Sequence, residues 1–285
     1  MSYESLSMGQ KVTLACMLEV SAPKPGNVHR GADFDDLSFY DFIQSAAAIG
    51  PVFEQHEQLG LGELILAAVE ATGSVVSTNT NLGLILLMAP IAKASTLDQT
   101  GIQAVLTNLN SEDAVLIYQA ITTAKAGGLG RVGEMDVRGK APDSLLEAMG
   151  HAKDRDLIAA QYTNQFEDVL SVAAPKLRHH QDSGLLQADA IVRTHVEFMS
   201  LYPDSLIARK CGLEVAQEAA TRAAAALAQS SSGEQAYVSA LSDLDFWLRS
   251  DGHRRNPGTT ADFIGASLLV GLIEGWLESP AQHQI

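Results

Sequence analysis

The chain has 285 residues, 46% of them hydrophobic, with 34 acidic residues against 19 basic ones and a net charge of −15. That length buries a full core, as one large domain or two small ones, and a mean hydropathy near zero marks a soluble globular protein. The acidic excess, with no basic block interleaved with aromatics, argues against nucleic acid as a partner, and two cysteines, Cys16 and Cys211, cannot build a disulfide framework. The N-terminus shows no basic stretch followed by an apolar one, so a cytoplasmic protein is expected. Apolar and helix-forming residues at helical spacing then predict helices over 6–20, 37–59, 61–77, 81–95, 98–106 and 111–126. They predict further helices over 142–150, 151–170, 185–201, 204–208, 211–229, 233–250 and 259–279. The longest apolar run, Leu82 to Ala92, holds Gly83 and Pro90 and is too short to span a bilayer, so no membrane partner is expected. Both cysteines fall in helical contexts and read as buried thiols. Period-2 β-branched stretches are nearly absent. The expectation is an all-α fold: one multi-helix bundle over residues 1–285 with functional loops at the helix ends. The small-residue face from Ala216 to Ala228 allows close packing, and with it a homodimer.

The loops carry the chemistry-bearing residues. After Glu19 the chain reads Pro23-Lys24-Pro25-Gly26-Asn27-Val28-His29-Arg30, followed by Asp33, Asp35 and Asp36. The prolines force an extended backbone and Gly26 permits close approach. Lys24, His29 and Arg30 can bind phosphate and Glu19 and Asp33 a metal; the plain alternative is a rigid solvated loop. Ser77-Thr78-Asn79-Thr80-Asn81 holds more amides and hydroxyls than one helix cap needs, so Asn79 or Asn81 could read a base or ribose edge; ordinary capping by Thr80 or Asn81 is the alternative. The Gly-rich stretch from Gly127 to Gly139 matches neither a P-loop nor a dinucleotide fingerprint, but its backbone could wrap a ligand, with Asp136 and Arg138 on one side if extended. Asp156, beside Arg155, is a candidate metal ligand or base, or part of a solvated helix face. Asp204 followed by Arg209, Lys210 and Gly212 suits an anion site, or else an N-cap with basic residues at a helix C-terminus. His179-His180 reads as surface.

Asp245 and Trp247 lead into the most informative stretch, Arg249 to Ile264. Arg249, Arg254 and Arg255 there precede an Asn256-Pro257-Gly258 turn that opens a helix carrying Asp262. A helix N-terminus with arginines beside it is a physical recipe for holding phosphate. No histidine pair has zinc-site spacing, and no nucleophile elbow or catalytic-cysteine signature is present. Carboxylates, cations and glycine turns at helix ends suit Mg²⁺-nucleotide chemistry, where positioning and charge neutralisation do most of the catalysis.

Taken in order, six segments resemble the triphosphoribosyl-dephospho-CoA synthase family: P-K-P-G-N-V (Pro23 to Val28), N-T-N-L-G (Asn79 to Gly83), D-V-R-G (Asp136 to Gly139), R-D-L-I-A-A-Q-Y (Arg155 to Tyr162), R-K-C-G (Arg209 to Gly212) and N-P-G-T-T-A-D (Asn256 to Asp262). The resemblance implies an all-α enzyme that moves the triphosphoribosyl group of ATP to the ribose 2′-hydroxyl of 3′-dephospho-CoA and releases adenine, with Mg²⁺ as cofactor. It implies phosphate or nucleotide contacts from Lys24, Gly26, Asn27, Arg30, Asn79, Thr80, Asn81, Arg138, Lys210, Arg254, Arg255, Asn256 and Gly258. Metal contacts would come from Glu19, Asp33, Asp136 and Asp262, and catalysis from Asp33, Asp136 and Asp156. The chain departs from the family pattern at Asn81-Leu82, where bacterial members carry His-Lys, and at Gly258-Thr259-Thr260, where they carry Gly-Gly-Ser. It is therefore similar to a divergent branch, of a type found where one-carbon metabolism uses tetrahydromethanopterin. Three readings stay open beside the family reaction: phosphoribosyl transfer to another cofactor precursor, N-glycoside hydrolysis, and a non-catalytic nucleotide-binding protein.

Overall fold

A computed structural model describes residues 3–124 and 142–277. Among the described residues there are fourteen α-helices and no sheet, so the all-α expectation holds. They run α1 (Met8–Ser21), α2 (Phe39–Phe53), α3 (Leu61–Val75), α4 (Leu82–Lys93), α5 (Gln99–Thr107), α6 (Ser111–Thr123), α7 (Leu145–Ala152), α8 (Leu157–Asn164), α9 (Ala174–Asp182), α10 (Gln187–Leu201), α11 (Ser205–Cys211), α12 (Leu213–Ala228), α13 (Glu234–Arg249) and α14 (Gly258–Glu274). None is long and apolar enough to cross a membrane.

Local sequence starts these helices with side-chain caps. Ser7 with Gln10, Ser38 with Asp41 and Asn110 with Asp113 form capping boxes at α1, α2 and α6. Asp113 also accepts a 2.9 Å hydrogen bond from the Gly62 amide, which ties α6 to the first turn of α3. Two helices differ from the rest in being apolar all round. Ten residues of α4, from Leu82 to Ala92, are buried, as are thirteen of α14 from Thr259 to Leu272. A helix without a polar face has to be enclosed. Accordingly α4 and α14 pack on each other, with α3 and α8 against α4 and with α1, α9 and α10 against α14. Wherever α14 ends at its N-terminal side, it must therefore open onto the inside of the protein, and so must α4.

Three local expectations need correction. The segment 151–170 is not one helix. Asp156 caps α8 through the Ile158 and Ala159 amides, and the chain reverses at Gln165 and Phe166, whose φ angles are 55° and 62°. A π-helical turn, Asp168–Ala173, then leads into α9. The Asp168 carboxylate fixes that reversal by accepting from Gln161 Nε2, Asn164 Nδ2 and the Tyr202 hydroxyl at 2.6, 3.0 and 2.9 Å. Second, of the pair read as surface only His179 is exposed: both lie in α9, and His180 is buried with Nε2 3.2 Å from Glu197. Third, Cys16 is buried but Cys211 is only half-buried. Residues 278–279, expected to end the last helix, lie outside the described residues.

Candidate active site

The N-termini of α4 and α14 open on the same cavity, of about 290 Å³. Asn81 and Leu82, the cap and first residue of α4, line it from one side, and Gly258 and Thr259, the first residues of α14, from another. Two positive dipole ends thus meet in one space, although the Leu82, Gly258, Thr260 and Ala261 amides are already bonded to Asn79, Asn256, Asp204 and Pro257. Arg209 and Lys210, from the last turn of α11, add two cations. Opposed to them are Glu19 from the last turn of α1 and Asp262 from α14. A second cavity, of about 600 Å³, lies beyond the 78–82 segment and shares Thr78, Asn79, Asn81 and Leu82 with the first.

The loop after α1 is built in rather than solvated as far as Val28. Lys24 is fully buried: its ammonium bonds Glu19 Oε1 at 2.9 Å, the Glu19 carbonyl, and the Ala22 carbonyl at 3.3 Å. It thereby ties off the carbonyl end of α1 and fixes the Glu19 carboxylate that lines the cavity. At Gly26, φ is +77° and an added Cβ would meet Leu248 at 2.8 Å, so both the angle and the contact require glycine. The Gly26 amide donates to Asp245 Oδ1 at 2.7 Å, and Arg249 bridges Asp245 to the Asn27 carbonyl. Asn27 Nδ2 in turn donates to Asn256 Oδ1 at 2.5 Å, joining the two Asn-bearing turns across the cavity floor. Thr80 meets Ser45 of α2 at 2.6 Å, and the Thr72 hydroxyl donates to Asn81 Oδ1 at 3.1 Å.

Asp204 fixes the other wall. It caps α11 through the Leu206 and Ile207 amides at 2.9 and 3.0 Å, and accepts from the Thr260 amide and hydroxyl at 2.7 and 2.9 Å. One carboxylate therefore caps two helices, and burial still pushes its pKa up against those four donors. Asp156 pairs with Arg209 while capping α8. Asp262 is treated differently. Among the described residues nothing donates a hydrogen bond to it, and burial followed by the Glu19 charge raises its pKa well above the usual carboxylate range. It lies directly over Gly83 at the start of α4, where any Cβ would collide with the carboxylate. Cys16 feels the same pair: burial, then Glu19 and Asp262, push its thiol up.

Of the residues singled out by sequence, Glu19, Asn27, Asn79, Thr80, Asn81, Lys210, Asn256, Gly258 and Asp262 all line this cavity. The fold does not bring the others to its wall. Lys24 and Gly26 support it from behind. Arg30 is exposed, and exposed Asp33 accepts from the Phe39 amide at 2.7 Å. Arg254 donates to the Lys210 carbonyl at 3.0 Å, and Arg255 lies 4.5 Å over the Trp247 ring. Asp156 reaches the cavity only through Arg209. Asp136, Arg138 and the Gly-rich stretch from Gly127 to Gly139 lie outside the described residues.

Three lining residues gained no ligand role in the sequence analysis beyond an anion-site reading of Arg209. Arg209 faces the cavity with Lys210. Asp36 Oδ1 and His253 Nδ1 sit 2.7 Å apart, and both residues line the cavity. The two are 217 positions apart, so only the tertiary fold shows the pairing. Among buried side-chain atoms without a hydrogen-bond partner are Asn27 Oδ1, Asn81 Nδ2 and Arg209 Nε. Each belongs to a cavity residue, and an acceptor, an amide donor and a guanidinium donor are left for something that enters.

No curated protein matches the sequence. In the crystal structure of an Archaeoglobus fulgidus protein bearing the provisional name triphosphoribosyl-dephospho-CoA synthase, the fold superposes with a TM-score of 0.61 at 24% identity, over 82% of this chain and 99% of that one. At that identity the likeness establishes the fold. Residues 6–281 match the family described as CitG, ATP:dephospho-CoA triphosphoribosyl transferase, which spans nearly the whole chain; the protein belongs to that family of transferases.

Proposed function

We propose that the cavity where α4, α11 and α14 meet holds ATP against dephospho-CoA and transfers the triphosphoribosyl group between them. The observation that carries this reading is the set of unpartnered Asn27, Asn81 and Arg209 atoms in a cavity with two helix N-termini, two cations and two carboxylates. Phosphate oxygens accept from free backbone N–H groups and from guanidinium and ammonium donors. Arg209 and Lys210, with the positive dipole end of α14 beside them, are the phosphate holders in this reading. Asn27, Asn79, Asn81 and Asn256, with amides fixed from behind, suit the hydroxyls and ring edges of ribose and base. A volume of about 290 Å³ lies at the low end for a ligand site, roughly 300–1,000 Å³, so two large substrates must extend past it. The cavity beyond the 78–82 segment offers that room.

The transfer breaks the bond from ribose C1′ to adenine and forms one from C1′ to the acceptor oxygen. Positive charge develops at C1′ on the way. Glu19, and Asp262 when ionised, would face such a centre with negative charge. Burial, and then the Glu19 charge, raises the Asp262 pKa, and a cation bound beside it would oppose that shift. Magnesium fits that donor set. No group of three or more His, Cys, Asp or Glu side chains could hold a metal among the described residues, but Mg²⁺ is commonly bound through one or two carboxylates plus substrate phosphates. Glu19 and Asp262 would hold it, and it would neutralise phosphate charge. At Leu82, where bacterial relatives carry lysine, the wall is uncharged, which leaves phosphate binding to the α11 cations.

The test is adenine release from ATP and Mg²⁺, followed by chromatography with and without 3′-dephospho-CoA. The expected result is release that depends on the acceptor. Release at the same rate without acceptor would assign glycoside hydrolysis instead. No release, with ATP still bound, would leave a nucleotide-binding protein.

A further inference from the structure

We infer that His253 is the base that takes the proton from the acceptor hydroxyl, and that Asp36 is the positioning residue that aims it. The inference rests on the transferase reading of the cavity. His253 stands on the extended segment Ser250–His253 and Asp36 at the end of the loop after α1, so the pair spans two separate parts of the cavity rim. Their 2.7 Å contact is through Nδ1. A carboxylate at Nδ1 holds the proton there and leaves Nε2 as the basic nitrogen. The ring is also fixed edge-on to Phe34, with centroids 5.8 Å apart, and Phe34 is itself covered by the Arg249 guanidinium at 4.9 Å. The Nδ1 contact and the aromatic contact together restrict the imidazole's orientation. Its side chain remains one-third exposed, so a substrate at the rim can reach it.

The other carboxylates suit this task less well. Asp204 is saturated by four donors, Asp156 is spent on α8 and Arg209, and Glu19 is paired with Lys24. Asp262 is biased toward its protonated form. Of the charged groups, Asp36 contacts the imidazole, Arg209 and Lys210 of α11 line the same cavity, and Asp251 and Arg254 pair with each other on its own segment. In the step, the acceptor O–H proton moves to His253 Nε2 as the oxygen forms its bond to ribose C1′. The electron pair of the breaking C1′–N bond leaves with adenine, which takes up one proton, and His253 returns its own to solvent.

The experiment measures acceptor-dependent adenine release for wild type, His253→Ala and Asp36→Asn across pH, with ATP binding measured separately by equilibrium dialysis. Removal of a general base costs roughly 10²–10⁴-fold in rate. His253→Ala is expected to lose that much in kcat, to lose the acidic limb of the pH profile, to bind ATP as wild type does, and to regain rate with added imidazole. Asp36→Asn should lose less, keep ATP binding and shift the same limb. A fully active wild type with unchanged His253→Ala rate and profile would overturn the inference while leaving the transferase reading standing. Loss of rate without imidazole rescue and with the limb retained would reduce His253 to a structural part. If wild type shows no acceptor-dependent release, the transferase reading falls first and this inference with it.

Discussion

At the junction of α11 and α14 the Asp204 carboxylate receives four hydrogen bonds, from the Leu206, Ile207 and Thr260 amides and the Thr260 hydroxyl. Two residues further along α14 the Asp262 carboxylate, half-buried at the cavity wall, receives none from the described residues. The same contrast divides the amides and guanidiniums. Arg249 has its Nε on Asp245 and an Nη on the Asn27 carbonyl, whereas Arg209 leaves Nε bare. An unsatisfied buried polar group costs about 1–3 kcal/mol, so a protein keeps few of them without a use. The comparison separates groups that build the wall from groups that wait on it. Apart from His180 Nε2, which faces Glu197, the remaining unpartnered atoms sit on α10 and α13, among them both ring nitrogens of the fully buried His195. Those residues do not line the cavity, so they fall outside this division.

Asp204→Ala is the most direct way to break the comparison. It strands four donors at once, two in the first turn of α11 and two in the first turn of α14, and is expected to destabilise by about 3 kcal/mol or more. Urea denaturation reads this directly. A loss under about 1 kcal/mol would mean that the α11–α14 junction relaxes onto water and that Asp204 is no clamp. Arg209→Ala should do the reverse. Its effect falls on the ligand, because charge-assisted hydrogen bonds are worth about 1.5–3 kcal/mol, or roughly 10- to 150-fold in KM for ATP. Arg209→Lys keeps a charge but not the fork, and should recover only part of that affinity. Equal loss of stability and affinity would place Arg209 with the wall.

Asp262→Asn sharpens the contrast through its sign. The folded state raises this carboxyl's pKa, by burial first and the Glu19 charge second. Protonation therefore favours the fold. Its contribution is fully present below the unfolded carboxylate pKa and is lost as pH rises through the folded value. An asparagine cannot ionise, so at neutral pH the variant should be more stable than wild type by about 0.5–2 kcal/mol, the size typical when a strained functional group is given up. The gain should disappear in acid, and transferase activity should fall. Thermal melts from pH 3 to pH 8 check it; a variant less stable than wild type at neutral pH would show that Asp262 is satisfied after all.

The fold was legible in sequence wherever local rules decide it. The starts of α1, α2 and α6 fall where helices are predicted because Ser7, Ser38 and Asn110 cap them by contacts within three residues, whereas the cap at Asp156 lies inside a predicted helix; the apolar circumference of α4 and α14 announces enclosure. The reversal at Gln165 and Phe166 was not legible. Neither residue is glycine, and the left-handed turn is held by Asp168, which needs Tyr202 of the chain after α10 to complete its hydrogen bonds. The candidate site shows the same limit. Helix-end residues such as Asn81, Asn256 and Asp262 could be named, because a helix start exposes whatever stands there. Which cations face the cavity could not, since Trp247 and the Lys210 carbonyl decide where Arg255 and Arg254 point. The Asp36–His253 pair depends on contacts 217 residues apart.

Arg254 and Arg255 are accordingly the finest test of the division. By sequence they are the strongest phosphate candidates in the chain, adjacent to an Asn-Pro-Gly turn at a helix N-terminus. In the structure Arg255 donates to the Trp247 carbonyl and the Ser250 hydroxyl at 3.0 and 3.2 Å while covering the Trp247 ring, and Arg222 lies 4.7 Å from the same ring. Arg255 therefore shares its aromatic partner with a second cation and closes the turn after α13. Arg255→Ala should cost about 0.5–1 kcal/mol of stability, the value of a partly exposed cation–π contact, and leave KM for ATP within roughly 2-fold of wild type. Arg254→Ala, removing an exposed side chain paired with Asp251 at 3.2 Å, should cost still less. A rise of about 10-fold or more in KM for either variant would mean that these arginines swing from their packing partners to the triphosphate when it binds, and that the wall and the waiting groups exchange members during the reaction.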